Sequence, residues 1–512
     1  MNAAPGSSFR PPGALPADPL GPYVGTWNAR LAAHLLRRAG FGGTPAEISR
    51  AAAKSMNGSV DALLVFPSGD IVPPAVVDDE RTFGAFAAAR RARRGMSMPD
   101  ATMVAADGTT GAQRPAADAS LLELRKQRAM ARRAQFVADA TWWLDRMVTT
   151  PSPLQEKMTF FLHGHFATAA NQKGIYGSDI TDQNALLRRF ALGNFKSLTH
   201  EITRDRAMLK WLDNARSDKT HPNENYAREL MELFTLGIGN YTEADVRESA
   251  RAFTGYTFVR RTGQFVFDAN KHDDGSKTFL GRTGNFNGDD VIEIIFKQPA
   301  APKFLARKLL EFLVYSDPEP ALVDAFANSI AAHGFELEPA IAQLLRSNVF
   351  YSERAYRALV KSPVEFVVGS LRLFGATTVT PQTIGVLGRM GQVPFRPPSV
   401  KGWDGGSAWL NTQTVLAREN FASSLMSASA AASMSASAVL GDRPPANATI
   451  AARSLVDTIL QGDASPAGFA KLDAYLDGKD TSADGALSGE NFEERMRGAA
   501  YLVMAMPAYQ LS

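Results

Sequence analysis

The chain has 512 residues, 45% of them hydrophobic and 21% charged, a globular composition that excludes disordered, collagen-like and coiled-coil classes. Lys+Arg 55 against Asp+Glu 52 leaves +3, too close to balance for a dedicated nucleic-acid or anionic-membrane binder. With no cysteine, disulfides, thiolate nucleophiles, iron–sulfur clusters and Cys-ligated zinc are excluded, and no run of about 18 apolar residues predicts a membrane span.

Residues 1–28 carry Pro5, Pro11, Pro12, Pro16, Pro19 and Pro22, which suit neither helix nor strand and predict a draped or mobile tail. Its single early base, Arg10, is followed by no apolar stretch. The sequence as written therefore reads as cytoplasmic, and as periplasmic or exported if a leader is missing. From Ala29 a helical period runs to Arg38, glycines at 40, 42 and 43 stop it, and Thr44-Pro45 with Glu47 predicts a capping box on a second helix. Residues 68–118 read as a variable insertion, low in complexity from 105 to 117.

From Arg81 to Arg133 eleven bases face four acids, a local charge of +7. No aromatic interleaving accompanies the run at Arg90, Arg91, Arg93 and Arg94. A solvated helix face is therefore expected there in preference to an anion or nucleic-acid patch. Helical periods follow at 121–147, 153–166, 185–208, 223–236, 242–253, 302–315, 320–332, 339–345 and 363–374, several of them opening on Thr, Asn or Pro. Only 256–267 alternates as a β-hairpin, turning at Thr262-Gly263. The expected architecture is mainly α, a large multi-helix domain with long loops and one small β-hairpin. The main domain spans 29–422, a Ser/Ala-rich connector 423–447, and terminal helices 448–512 pack on it.

Four segments offer chemistry. His163-Gly164-His165 is the closest pair among seven histidines and resembles a metal site, but residues i and i+2 of a helix point about 200° apart, so a shared ion needs a helix break at Gly164. In 223–237, Glu224, Arg228, Glu229 and Glu232 form a polar stripe beside an apolar one. Either it is a solvated face with i, i+4 ion pairs, or it is a carboxylate face that joins the histidines around a divalent ion, with Glu224, Arg228 and Glu229 in catalytic roles. His272-Asp273 stands among turn residues and adds one imidazole and one carboxylate as candidate metal ligands. Trp403 and Trp409 flank a Gly-rich loop, a stacking platform or a cover for a core edge. Nucleophile-elbow, Walker, Rossmann and zinc-protease signatures are missing.

Taken in order, the motifs at 34–42, 156–168, 223–237, 277–281, 361–369 and 401–403 resemble the bacterial domain-of-unknown-function 1800 family, DUF1800, over essentially the whole chain. The resemblance implies a large helical bacterial protein, often encoded beside a second family similar to sulfatases and frequently exported. It brings no established reaction. The family pattern usually has His-Asn-His where this chain has His163-Gly164-His165. Two functions are therefore expected to compete. One is a metal-dependent enzyme using His163, His165, His272 and Asp273 for a divalent transition metal. The other is a non-catalytic companion or assembly factor for a neighbouring sulfatase-like protein, in which the same groups fix helix packing.

Overall fold

The computed structural model describes residues 15–66, 69, 71–76, 113–427, 447–478 and 492–512, with the backbone alone over 113–121. The tail up to residue 14, the arginine run at 90–94, the low-complexity stretch 105–112 and the connector from 428 to 446 lie outside the described residues. The architecture is mainly α: among the described residues there are twenty α-helices and two small two-stranded antiparallel sheets. None of these helices is long and apolar enough to cross a membrane.

Helix α1 (Ala29–Arg38) starts on the Asn28 cap, and α2 (Pro45–Ala53) on a complete capping box in which Thr44 and Glu47 exchange side-chain and backbone bonds. After α3 (Met56–Leu64) comes α4 (Gln113–Thr149), about 55 Å long at 1.5 Å per residue. Its second half buries Phe136, Ala140, Trp143, Leu144 and Met147 at helical spacing, while Leu122 and Met130 in the first half stay exposed.

Helix α5 (Pro153–His165) is buried almost throughout. The single helix expected over 185–208 is three: α6 (Ser178–Arg189), α7 (Phe195–Arg204) and α8 (Arg206–Trp211). The breaks come from Asn194 and Asp205, whose side chains accept the Ser197 and Met208 amides and so start new helices.

The 223–236 helix also divides, into α9 (Glu224–Glu229) and a widened π turn over Leu230–Thr235. Helix α10 (Glu243–Ala252) precedes two hairpins. Strands β1 (Tyr256–Phe258) and β2 (Phe265–Phe267) pair Thr257 with Val266. Strands β3 (Lys277–Phe279) and β4 (Arg282–Gly284) pair Thr278 with Thr283. The second hairpin falls where only turn chemistry is expected.

Helices α11 (Gly288–Ile295) to α15 (Pro363–Leu373) complete the centre, with α12 (Ala300–Leu313), α13 (Pro320–Ala332) and α14 (Leu337–Leu345) between them. Helices α16 (Gln382–Met390) and α17 (Thr412–Met426) follow, then α18 (Ala448–Leu460), α19 (Pro466–Leu476) and α20 (Phe492–Ala505).

One continuous apolar core joins Leu31 to Tyr509. Both ends of the described chain are stitched to it. Tyr23 N–H bonds the Arg346 carbonyl at 2.8 Å and the Asn348 amide bonds Gly21 at 2.9 Å. At the other end Ser512 N–H reaches the Leu359 carbonyl at 2.8 Å. The segments resembling family motifs meet across long sequence distances. Buried Lys157 pairs with Glu365, Arg38 donates to the Val314 and Ala355 carbonyls, and a Cβ on Gly369 would stand 2.8 Å from the Phe41 carbonyl oxygen. That close approach requires glycine.

Candidate functional site

Helix α5 remains regular through Gly164 to His165, so the two imidazoles leave it in different directions. His163 is 1% exposed and its Nε2 accepts the Phe395 amide at 3.1 Å, which places its proton on Nδ1. Trp143, Phe395 and Trp403 surround it, with ring centroids 5.2, 5.5 and 5.8 Å away. His165 bonds through Nε2 to the Phe234 carbonyl at 2.9 Å, inside the π turn, among Phe161, Phe166, Phe195 and Phe304. Burial pulls both rings down to about 3, helped at His165 by the Lys308 charge. Both rings are held in the neutral form.

The other expected ligands are engaged elsewhere. Arg228 makes a bidentate contact with Glu243 at 2.7 and 2.8 Å and a longer one with Glu224 at 3.4 Å. Glu229 is half-buried, and burial together with the Glu232 charge raises its carboxyl; Glu232 itself accepts from the Tyr241 hydroxyl at 2.7 Å. His272 Nδ1 bonds the Thr254 carbonyl at 3.0 Å. Asp273 is held by Arg251 at 2.7 and 3.1 Å, and the hydrogen bonds from Arg251 keep it below the usual carboxylate range.

Among the described residues no group of three or more His, Asp or Glu stands close enough to hold a metal ion. The shared cavity expected for His163, His165, Glu224, Glu229, His272 and Asp273 is thus not the arrangement found. The reason is geometric: the i and i+2 rings diverge, and Glu224, His272 and Asp273 take nearer partners in Arg228, the Thr254 carbonyl and Arg251.

Trp409 is buried, and its carbonyl accepts from the Thr414 hydroxyl at 2.9 Å. Trp403 packs against Phe160 and His163. With Trp409 buried and Trp403 half-buried, the two rings do not form an open platform. Gly402 explains the motif around Trp403. It stands at φ +82°, and a Cβ there would lie 2.5 Å from the Gly164 carbonyl oxygen.

Glu156 organises the buried end of α4 and α5. It accepts from Trp143 Nε1 at 2.9 Å, from Arg188 at 2.8 and 2.9 Å, and from Arg146. Burial alone pushes this carboxyl up, but the hydrogen bonds and charges of Arg188 and Arg146 outweigh it and hold it low.

The concave feature of this face is a cleft of about 970 Å³ between α4, the loop at 171–176 and the segment 381–396. Arg125, Arg128, Arg132, Arg133 and Arg396 line it, and among the described residues none that lines it is acidic. Arg132 lies over the Tyr176 ring at 3.5 Å and Arg396 over Phe136 at 4.2 Å. A small hollow behind it reaches Gln135 and Asp139. Asp139 accepts from Gln135 at 2.8 Å, and burial pushes its carboxyl up to about 6 against that bond.

Helix α5 supports the far wall from behind. His163 fixes the Phe395 amide, the Phe395 carbonyl accepts the Ala170 amide at 2.8 Å, and Phe395 is thereby held at φ +63°. For a bulky residue that conformation costs about 1–2 kcal/mol. It sets Arg396 at the cleft rim. The basic residues 125–133 were expected as a solvated face; α4 turns four of them toward a second wall that lies more than 240 residues later in the chain.

Fold and site together define a large helical protein with an arginine-lined cleft between α4, the loop at 171–176 and the segment 381–396. The family model described as protein of unknown function (DUF1800) matches residues 34–511, and the chain belongs to that family. No curated protein and no solved structure matches it.

Proposed function

We propose that this protein is a binding protein for anionic ligands, with the arginine-lined cleft as its site. The observation that carries this reading is the lining itself: among the described residues five arginines and no acid line one cleft of about 970 Å³, with Arg125, Arg133 and Arg396 at its exposed rim. Guanidinium forks bind carboxylate and phosphate groups bidentately, and a wall of one charge sign raises the local concentration of counter-charged ligands. Arg125, Arg133 and Arg396 are exposed, and among the described residues no carboxylate pairs with them. The burial of His163 and His165 in aromatic niches and the pairing of Asp273 with Arg251 support a companion role in this reading.

Titration calorimetry with citrate and with pyrophosphate tests the proposal. Binding is expected at low ionic strength, with a marked loss as salt shortens the Debye length from about 30 Å at 0.01 M to about 8 Å at 0.15 M. The double variant Arg133→Ala/Arg396→Ala is expected to weaken binding at least tenfold. Affinity unchanged in that variant, or binding insensitive to salt, rejects the cleft as the site.

A further inference from the structure

The distribution of charge within the cleft says more about its occupant, on the reading that the cleft binds anions. Arg125, Arg128, Arg132 and Arg133 span eight helical steps of α4, about 12 Å of helical rise, and Arg396 faces them from the other wall. One phosphate or carboxylate engages two or three such groups at most. The spread suits several negative charges in series.

The surface between and beyond the arginines is apolar. Val137, Ile384 and Val393 line the cleft itself. It continues through Arg133, Val137 and Pro381 into a shallow trough of about 560 Å³ that also takes in Met130, Ala134 and Ala138. Met130 is 69% exposed. From Arg125 to Thr141 the two hollows follow sixteen helical steps, about 24 Å.

The two aromatic rings that would offer stacking faces to nucleobases are capped by their own arginines, Tyr176 by Arg132 and Phe136 by Arg396. That weighs against a single-stranded nucleic acid, which uses bare ring faces. We infer that the cleft and trough together dock an acidic, amphipathic segment of a partner protein, its carboxylates on the arginines and its apolar side chains along Met130, Val137 and Pro381. A 16-residue helix matches the length, with acids at i, i+4 and i+8 beside an apolar stripe.

Fluorescence anisotropy on the full chain tests the inference with three labelled probes. One is a 16-residue peptide with Glu at every fourth position beside a Leu stripe, one a scrambled peptide of the same composition, and one an oligothymidylate of equal charge. The patterned peptide is expected to bind at least tenfold more tightly than either of the others. Met130→Ser is expected to reduce that preference several-fold, and as Met130 is exposed its fold is checked by an unchanged thermal melt. Arg133→Ala/Arg396→Ala is expected to weaken every probe. Equal affinity for patterned and scrambled peptides, with citrate still bound, removes the docking segment and leaves the anion site. Tightest binding of the oligothymidylate overturns the inference in favour of nucleic acid, and no binding of citrate or of any probe overturns both readings.

Discussion

Replacing His163 by Gln separates the roles of this ring. An amide oxygen at that position still accepts the Phe395 amide, so at neutral pH the variant is expected to lose only about 1 kcal/mol, the ordinary worth of a hydrogen bond that is kept imperfectly. The informative quantity is the pH dependence. In the folded chain burial holds the ring at about 3, against an ordinary value of 6.5. The unfolded chain therefore binds more protons over that interval, and stability falls as pH falls. The contribution of His163 is complete above pH 6.5 and is lost progressively toward 3. Between pH 6 and pH 4 the linkage relation gives a loss of about 2–3 kcal/mol for this one group.

His34 and His165, also pulled down by burial, act in the same direction. Asp139 and Asp205 oppose them, because burial pushes their carboxyls up to about 6 and about 7. The parent chain thus shows a sum of opposing terms, but the difference between parent and His163→Gln isolates the one ring. Urea unfolding followed by tryptophan fluorescence at pH 7, 6, 5 and 4 reads it. The parent is expected to lose about 2–3 kcal/mol more than the variant from pH 6 to pH 4, so the two stability curves cross and the variant is the more stable at pH 4. Curves that stay parallel refute a neutral, buried His163.

Glu156→Leu leaves Arg188 buried beside Arg146 without their carboxylate and is expected to cost about 3–5 kcal/mol in urea unfolding, with Glu156→Gln losing less; a cost below about 1 kcal/mol would show that the cluster is not coupled. Gly402→Ala forces an L residue into φ +82° against the Gly164 carbonyl. It is expected to cost at least about 2 kcal/mol, from about 1 kcal/mol of backbone conformation and a similar amount of displacement, and a thermal melt matching the parent counts against the close approach. Thr44→Ala removes the side-chain half of the α2 capping box and is expected to lower stability by about 1 kcal/mol, read as a shifted urea midpoint.

The mainly helical class, the capping box at Thr44 and Glu47 and the hairpin at 256–267 were all legible before any coordinates. Each depends on residues within a dozen positions of one another. Where local reading went astray, a signal was present but outweighed. The 185–208 period is continuous, yet Asn194 and Asp205 sit ready to cap, and their side chains end one helix by starting the next. The β3–β4 hairpin turns at Leu280-Gly281, both at positive φ, over strands of three residues too short to show alternation.

The candidate site divides in the same way. Residue types, spacings and the excess of arginine in 125–133 belong to the chain and were readable from it. Which of those groups face one another was not, because side-chain direction is set by packing. His163 and His165, two residues apart, end in separate aromatic niches held by Phe395 and Phe234, whereas Arg133 and Arg396, far apart in the chain, line one cleft. A helix fixes only relative angles along its own axis; the second wall arrives through the burial of apolar faces across the whole core, a non-local balance that no window of sequence contains.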